Sequence, residues 1–423
     1  MAYLYFYLLF AICFALLVWG LWKPERVYQY PFFMGATFTS FILPQAISLL
    51  KNPGPVTQQA LARVLLMSCL CVAMCWLGYQ LTPSPNFIKK LDISVDHNRL
   101  LHCGIIFVLI GYIFTFLIYR SLDTNLYTRY WTGIATIYNF FANLIYPGLT
   151  IILISTFQRP NFIKILLCIG AVLIPLQTII IYGRREPIAI LLLSIGLSLY
   201  FTRKFIPPRW LIITLIFTAI IITPLAYNYR MISQNNDWNQ LQELRPVEKF
   251  EDFIEQGQTL ELRNAALLMD AAAKTGQYKY GMDYWNSIIF NFVPAQIVGK
   301  NVKKSLQILS YRYNLKYMYN YSIPAGSTNT GIADSFIQFD YFGCLFFVLL
   351  GYFFKNLWIL AKYTKSMISQ VFYIGLISPS ILSITHQTVT FLPALLFLLF
   401  FMLPVIMYSR NKLLIKSNEK IIF

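Results

Sequence analysis

This chain has little charge: Asp, Glu, Lys and Arg make up 12% of its 423 residues, against 57% hydrophobic residues. A soluble globular domain carries about twice that charged share, so the composition excludes one. Histidine is rarer still, with only His97, His102 and His386. The seven cysteines (Cys13, Cys69, Cys71, Cys75, Cys103, Cys168 and Cys344) all fall in apolar runs and none in the one long polar stretch, which argues against a disulfide framework. The stretch "SCLCVAMC" has CxC and CxxxC spacings but no histidine or carboxylate beside it, so these are expected to be packing cysteines rather than metal ligands. No internal repeat is visible, which speaks against an inverted-repeat transporter. The first apolar run has no basic residue before it and no small-residue cleavage site after it, so a retained helix is expected rather than a secretory signal.

What the chain does have is apolar runs of about 20 residues, the length that crosses a hydrocarbon core of about 30 Å. Eleven spans are expected, near 2–22, 30–50, 60–82, 100–119, 133–156, 162–182, 187–202, 210–227, 332–354, 366–385 and 388–408. The expected fold is an all-α integral membrane protein in three parts. Residues 1–227 carry spans one to eight, 228–331 form a large polar loop with short helices, and 332–423 carry the last three spans and a tail.

A formal charge of +17 raises the question of nucleic acid, but the basic residues are not clustered as phosphate contacts would be. Most flank apolar runs, where they act as topology determinants. One side of the membrane collects seventeen: Lys23, Arg26, Lys89, Lys90, Arg99, Arg159, Lys164, Arg203, Lys204, Arg209, Lys355, Lys362, Lys365, Arg410, Lys412, Lys416 and Lys420. The short connections of the other side hold six: Lys51, Arg63, Arg120, Arg129, Arg184 and Arg185. The positive-inside rule assigns the richer side to the cytoplasm, with the N-terminus outside and the C-terminus inside. The loop then lies outside, with nine of the seventeen carboxylates. Chemistry on a charged substrate outside the cytoplasm becomes the leading expectation.

Arg184 and Arg185, in "IYGRREPIAI", stand on that outer face against the charge bias. Gly183 suits the end of one helix and Pro187 the first turn of the next, so the arginines sit at a helix N-terminus, where backbone N–H groups already favour an anion. Two guanidiniums add bidentate donors for phosphate; the competing reading is headgroup anchoring or a pair with Glu186. Arg230, in "YNYRMISQ", is a candidate of the same kind. Within the loop, "TLELRNAALLMDAAAKTG" predicts a helix with an Asp270–Lys274 pair and a terminal Gly276. "WNSIIFNFVPAQIVGK" predicts a short interfacial segment broken at Pro294, and Lys300 just after it is either a phosphate contact or part of a solvated basic run. "IPAGSTNTGIADSF" offers Ser327, Thr328, Asn329 and Thr330 as sugar-sized hydrogen-bond partners. Its Asp334 is expected in the first turn of span nine, where the helix dipole alone favours a carboxylate, and Asp340 deeper in that span. His386 is the one histidine on the outer face, placed either to act as a base near neutral pH or simply to end a helix.

Three stretches, "YGRREPIAILLLSIGL", "NFVPAQIVGK" and "ADSFIQFDYFGCLFFVLLGYFF", together with the order of spans and loop, resemble the bacterial oligosaccharide repeat unit polymerases of the Wzy (O-antigen) type. Gly343 and Gly351 match that family's glycines, while Asp340 stands where its first glycine is usual. The resemblance implies an inner-membrane glycosyltransferase that moves a growing glycan from a polyprenyl diphosphate to a sugar hydroxyl of another lipid-linked unit. It implies a diphosphate held by Arg184, Arg185, Arg230 and Lys300, and a base drawn from Asp334, His386, Glu186 or a loop carboxylate. With no DxD-like motif, no metal and no cofactor are expected. The implied partners are the lipid-linked oligosaccharide, membrane lipid and a chain-length regulator protein, with no nucleic acid. An O-antigen ligase acting on lipid A core would share these features. A flippase or other transporter of lipid-linked sugars would instead carry charge through the midplane of many spans.

Overall fold

The computed structural model describes the chain except residues 87, 89–91, 122–132, 184, 236, 241–244, 257–259, 325 and 411–423. Among the described residues every regular element is a helix, and one isolated bridge pairs Val95 with Arg410. Ten helices among the described residues are long and apolar enough to cross a membrane. The first seven are α1 Ala2–Trp22, α2 Tyr30–Lys51, α3 Gln58–Gln80, α4 His97–Ser121, α5 Ile134–Gln158, α6 Phe162–Tyr182 and α7 Arg185–Arg203. The expected span at 210–227 lies in α8, Arg209–Asn235, whose apolar described part is Arg209–Ile222. The longer loop helices are α9 Pro246–Gln256, α10 Glu261–Thr275 and α11 Met282–Phe292, and the last membrane helices follow as α12 Thr330–Phe339, α13 Leu345–Ile359, α14 Met367–Thr385 and α15 Phe391–Ser409.

Local chemistry explains the breaks. Pro44 would remove a helix hydrogen bond inside α2, and a π-helical turn at Phe38–Ile42 precedes it and absorbs the change. Gly183 ends α6 in the left-handed region (φ 58°) and Gly276 ends α10 the same way (φ 65°). The expected ninth span is not one straight helix. Asp340 has φ 52° and a 3-10 turn over Asp340–Cys344 separates α12 from α13, so this carboxylate sits half-buried at a chain break beside the Tyr278 phenol instead of deep in a continuous span.

Packing follows membrane rules, in which close backbone approach replaces hydrophobic exclusion. The α3–α13 crossing shows it: a Cβ on Gly78 would lie 2.1 Å from the Val348 carbonyl oxygen, and one on Gly351 would lie 2.2 Å from that of Cys75. Cys71 and Cys75 are fully buried in this seam, as packing residues.

Connections sort to two ends of the bundle. At one end the loop docks on the α2–α3 connection. Ser48 donates to the Phe253 carbonyl (3.0 Å), Arg263 donates to that of Asn52 (2.7 Å), and the Leu262 N–H donates to Gln45 Oε1 (2.9 Å). The same end holds the α6–α7 turn and the α14–α15 turn. At the other end Lys362 pairs with Glu25 (2.6 Å), Tyr28 donates to the Phe205 carbonyl (3.3 Å), and the Asp96 N–H donates to that of Ser409 (2.8 Å).

Candidate active site on the loop side

Two carboxylates are buried at the loop end, and each is built differently. Asp270, on α10, has both oxygens occupied. Oδ1 accepts from Arg63 of α3 at 2.7 Å, and Oδ2 accepts from Lys274 at 2.6 Å and from Tyr319 at 2.7 Å. Burial pushes this carboxyl up, but the hydrogen bonds from Lys274, Tyr319 and Arg63 outweigh it and hold it below the usual carboxylate range. The predicted i,i+4 pair and the Gly276 cap are both present.

Asp334, on α12, is 6% exposed and has one oxygen occupied. Oδ2 accepts from the Thr388 hydroxyl (2.5 Å) and from the Val389 N–H (3.1 Å). A hydroxyl has one proton, so with Thr388 donating to the carboxylate, the Tyr284 hydroxyl 2.7 Å away donates to Thr388. Tyr284, Thr388 and Asp334 thus form a directed chain that orients the carboxylate. Oδ1 has no hydrogen bond to any described residue. Asp334 is therefore not a first-turn cap of its own helix: it is the fifth residue of α12 and binds across to the start of the last span. The chain can approach that closely because Gly331 has no side chain; a Cβ there would lie 1.6 Å from the Ser383 carbonyl oxygen.

Asp334 lines a cavity of about 170 Å³ together with Lys279, Asp283, Arg312, Asn329 and Gln387. Tyr311, Tyr313 and the apolar side chains of Leu268 and Ile337 complete the wall. Asp283 ties the wall together. Its Oδ2 accepts from Lys279 (2.7 Å) and Gln338 (3.1 Å), and its Oδ1 accepts from Ser310 (2.7 Å). The segment that follows Ser310 is held again at Tyr313, whose hydroxyl donates to the Gln277 carbonyl (2.6 Å). Burial raises the Tyr313 phenol well above its usual range, so it stays a donor.

The other expected site residues fall into separate places. Arg184 lies outside the described residues, and Arg185 and Arg230 are placed by their helices alone. The outer part of α8 is tied to the end of α6, just before the turn into α7: Tyr229 donates to the Ile180 carbonyl (3.0 Å), and Ser233 donates to the carbonyls of Ile180 (3.3 Å) and Ile181 (2.5 Å). The end of α6, which leads into α7, and the outer part of α8 therefore share one corner. Glu186 is exposed in the first turn of α7, and Lys300 is exposed at the start of the helix Lys300–Leu306. His386 is exposed at the end of α14 with Nδ1 2.9 Å from Thr385 Oγ1, next to the cavity-lining Gln387. Among Asp334, His386 and Glu186, the cavity contains Asp334 alone.

The expected sugar-facing hydroxyls are used internally. Ser327 donates to the Pro324 carbonyl and accepts from Asn264, and Thr328 donates to the Thr385 carbonyl, which leaves Asn329 as the member of that run in the cavity wall. Sequence reasoning missed Lys279, Asp283 and Arg312. For Arg312 the available signal was a basic residue between two tyrosines in "SYRYN", which by itself resembles any solvated loop, and for Lys279 and Asp283 it was their i,i+4 spacing.

These features define a polytopic all-helical membrane protein with a folded polar loop enclosing a carboxylate-bearing cavity at one end of the bundle. The model of the family described as "Putative O-antigen polymerase" matches residues 3–252, more than half of the chain, and the chain belongs to that family. The match spans α1 to α8 and reaches into α9, which includes the arginine corner. No curated protein and no solved structure matches the chain. Family membership implies glycosyltransferase-type polymerisation in polysaccharide biosynthesis.

Proposed function

We propose that this protein joins lipid-linked oligosaccharide repeat units at the outer face of the bacterial inner membrane, with the loop end periplasmic. The acceptor sugar hydroxyl attacks the anomeric carbon that joins the growing glycan to polyprenyl diphosphate. The carbon–oxygen bond to phosphate breaks, the diphosphate leaves with the electron pair, and the hydroxyl proton passes to a base. The observation that carries this reading is Asp334: a buried carboxylate with one oxygen fixed and the other open to a polar cavity suits a positioned general base. Glu186 and His386 are exposed, and neither lines that cavity, which makes them weaker candidates for the same proton.

Charge rises on the leaving diphosphate, and the cations proposed to meet it are Arg184, Arg185 and Arg230, with Lys300 in support. The contact of outer α8 with the end of α6 at Ile180 and Ile181, just before Arg185, supports grouping Arg230 with Arg185, and Arg184 is its neighbour in sequence. The orientation rests on the seventeen-to-six charge asymmetry between the two ends. A chain-length regulator is proposed as a protein partner.

Arginine substitutions in a strain lacking the gene test this reading. Arg184→Ala or Arg185→Ala is expected to lower the polymerisation rate about 10²- to 10³-fold, the usual cost of one preorganised contact to a developing anion. Arg→Lys is expected to restore activity in part, because lysine keeps the charge without the planar fork. Lipid A capped by single repeat units identifies loss of a polymerase, whereas loss of a ligase leaves no capped lipid A. A normal chain-length distribution with both arginines replaced by alanine overturns the diphosphate role.

A further inference from the structure

The cavity contains a cation that nothing described has claimed. Lys279 is paired with Asp283, and Asp283 is saturated by Lys279, Gln338 and Ser310. Arg312 lines the same space with no hydrogen bond or ion pair to any described residue, although the segment that carries it is anchored on both sides, by Ser310 and by Tyr313. Opposite in chemistry is Asp334 Oδ1, an open acceptor on a residue that is 6% exposed. A ligand for this space therefore offers a hydroxyl to the carboxylate and an anion to the guanidinium. The volume of about 170 Å³ holds one sugar ring, not a chain of them. Asn329 and Gln387 supply neutral amide partners, and Tyr311 and Tyr313 supply aromatic surface.

We propose that this cavity binds one pyranose bearing an anionic substituent, a carboxylate or a phosphate, with its reacting hydroxyl on Asp334 and its anion on Arg312. This rests on the functional reading above and deepens it: the acceptor sugar of the repeat unit is acidic. Arg312 is then the residue that determines specificity, through a charge-assisted and potentially bidentate contact that a neutral sugar does not make. A neutral ligand forgoes that contact, and the difference between the two ligands is the value of one charge-assisted hydrogen-bonded pair.

Binding to the full chain in lipid nanodiscs, at about 0.15 M salt, tests the proposal with four probes. These are methyl glucuronoside, glucose 6-phosphate, methyl glucoside and inorganic pyrophosphate. At least one of the two anionic sugars is expected to bind about tenfold or more tightly than methyl glucoside, the better of the two identifying the substituent. Arg312→Ala is expected to abolish that advantage and leave the glucoside unchanged; Arg312 is exposed, so the fold does not depend on it. Asp334→Asn is expected to weaken all three sugars. Equal binding of the three sugars, no binding by any of them, or insensitivity of the anionic sugars to Arg312→Ala overturns the proposal. So does a dependence on Arg312 confined to pyrophosphate, which assigns this arginine to the donor. Chain length in cells separates the two levels. A gene deletion that leaves polymer intact overturns the functional reading while the binding result stands, and polymer loss without anionic preference overturns this inference alone.

Discussion

Asp270 and Asp334 sit on neighbouring helices at the same end of the bundle, both almost fully buried, yet one is bonded as a staple and the other is left as the candidate site. The difference lies in how the oxygens are used. Asp270 has three donors for two oxygens and fastens the loop to α3 through Arg63. Asp334 has both of its donors on one oxygen and faces a cavity with the other. Burial of a charge alone does not identify function; a saturated buried carboxylate holds the fold, and an unsaturated one with a space in front of it is a candidate to meet a ligand.

The contrast can be broken by exchanging the expected outcomes. Asp334→Asn keeps an oxygen that can accept from Thr388 and Val389 but removes the proposed base. Chain extension is expected to slow about 10²- to 10⁴-fold with unchanged thermal stability, read from polymer length in cells and from a melting curve of the purified protein. A normal rate would return Asp334 to a purely structural role.

Asp270→Asn acts in the opposite direction. It strands Arg63, whose side chain is 14% exposed, and is expected to cost about 3–5 kcal/mol of stability. Denaturant unfolding in nanodiscs measures it, and a loss below about 1 kcal/mol would mean the pair is not a staple. Acid provides the same test without mutation. Because the folded carboxyl is held below its unfolded value of about 3.9, its contribution is present above that pH and is lost as pH falls through the lower folded value. The loop of the wild type is therefore expected to become protease-sensitive below about pH 4, and Asp270→Asn is expected to remove that component of the pH dependence. The smallest effect belongs to Lys274→Ala. Its side chain is 51% exposed, so its ion pair with Asp270 is screened by solvent, and the loss is expected to stay within about 1 kcal/mol. An effect as large as that of Asp270→Asn would show that Lys274, not Arg63, fastens the loop.

Nine of the eleven expected spans were legible because an apolar run reports its own solvent: those helices begin and end within a few residues of where length and hydropathy place them, whereas the eighth runs on to Asn235 and the ninth is broken at Asp340–Cys344 and continues to Thr364. The α10 helix, its Asp270–Lys274 pair and its Gly276 cap were legible for the same reason, since i,i+4 spacing and capping are local. Arg63 as the third member of that cluster was not, because 207 residues separate it from Asp270. Asp334 was visible as a candidate, but its expected partner was the dipole of its own helix, and its actual partners are Thr388 and Val389. The run from Ser327 to Thr330 illustrates the converse. Hydroxyls that look available in a sequence are mostly consumed by neighbouring carbonyls once the chain is folded.

Composition and periodicity alone determined that this protein is an all-helical membrane protein with one large folded loop, because hydrophobic length and helix capping act over a few turns of chain. The tertiary structure alone decided which polar groups meet. Lys279, Asp283, Arg312, Asn329, Asp334 and Gln387 come from the loop, from α12 and from the start of the last span, and apart from the i,i+4 pair of Lys279 and Asp283 no spacing rule links them. Their convergence depends on backbones close enough that Gly331 admits no side chain, and on Asp283 tying three segments together. Such contacts are properties of packing at a distance along the chain, and they leave no local signature to read.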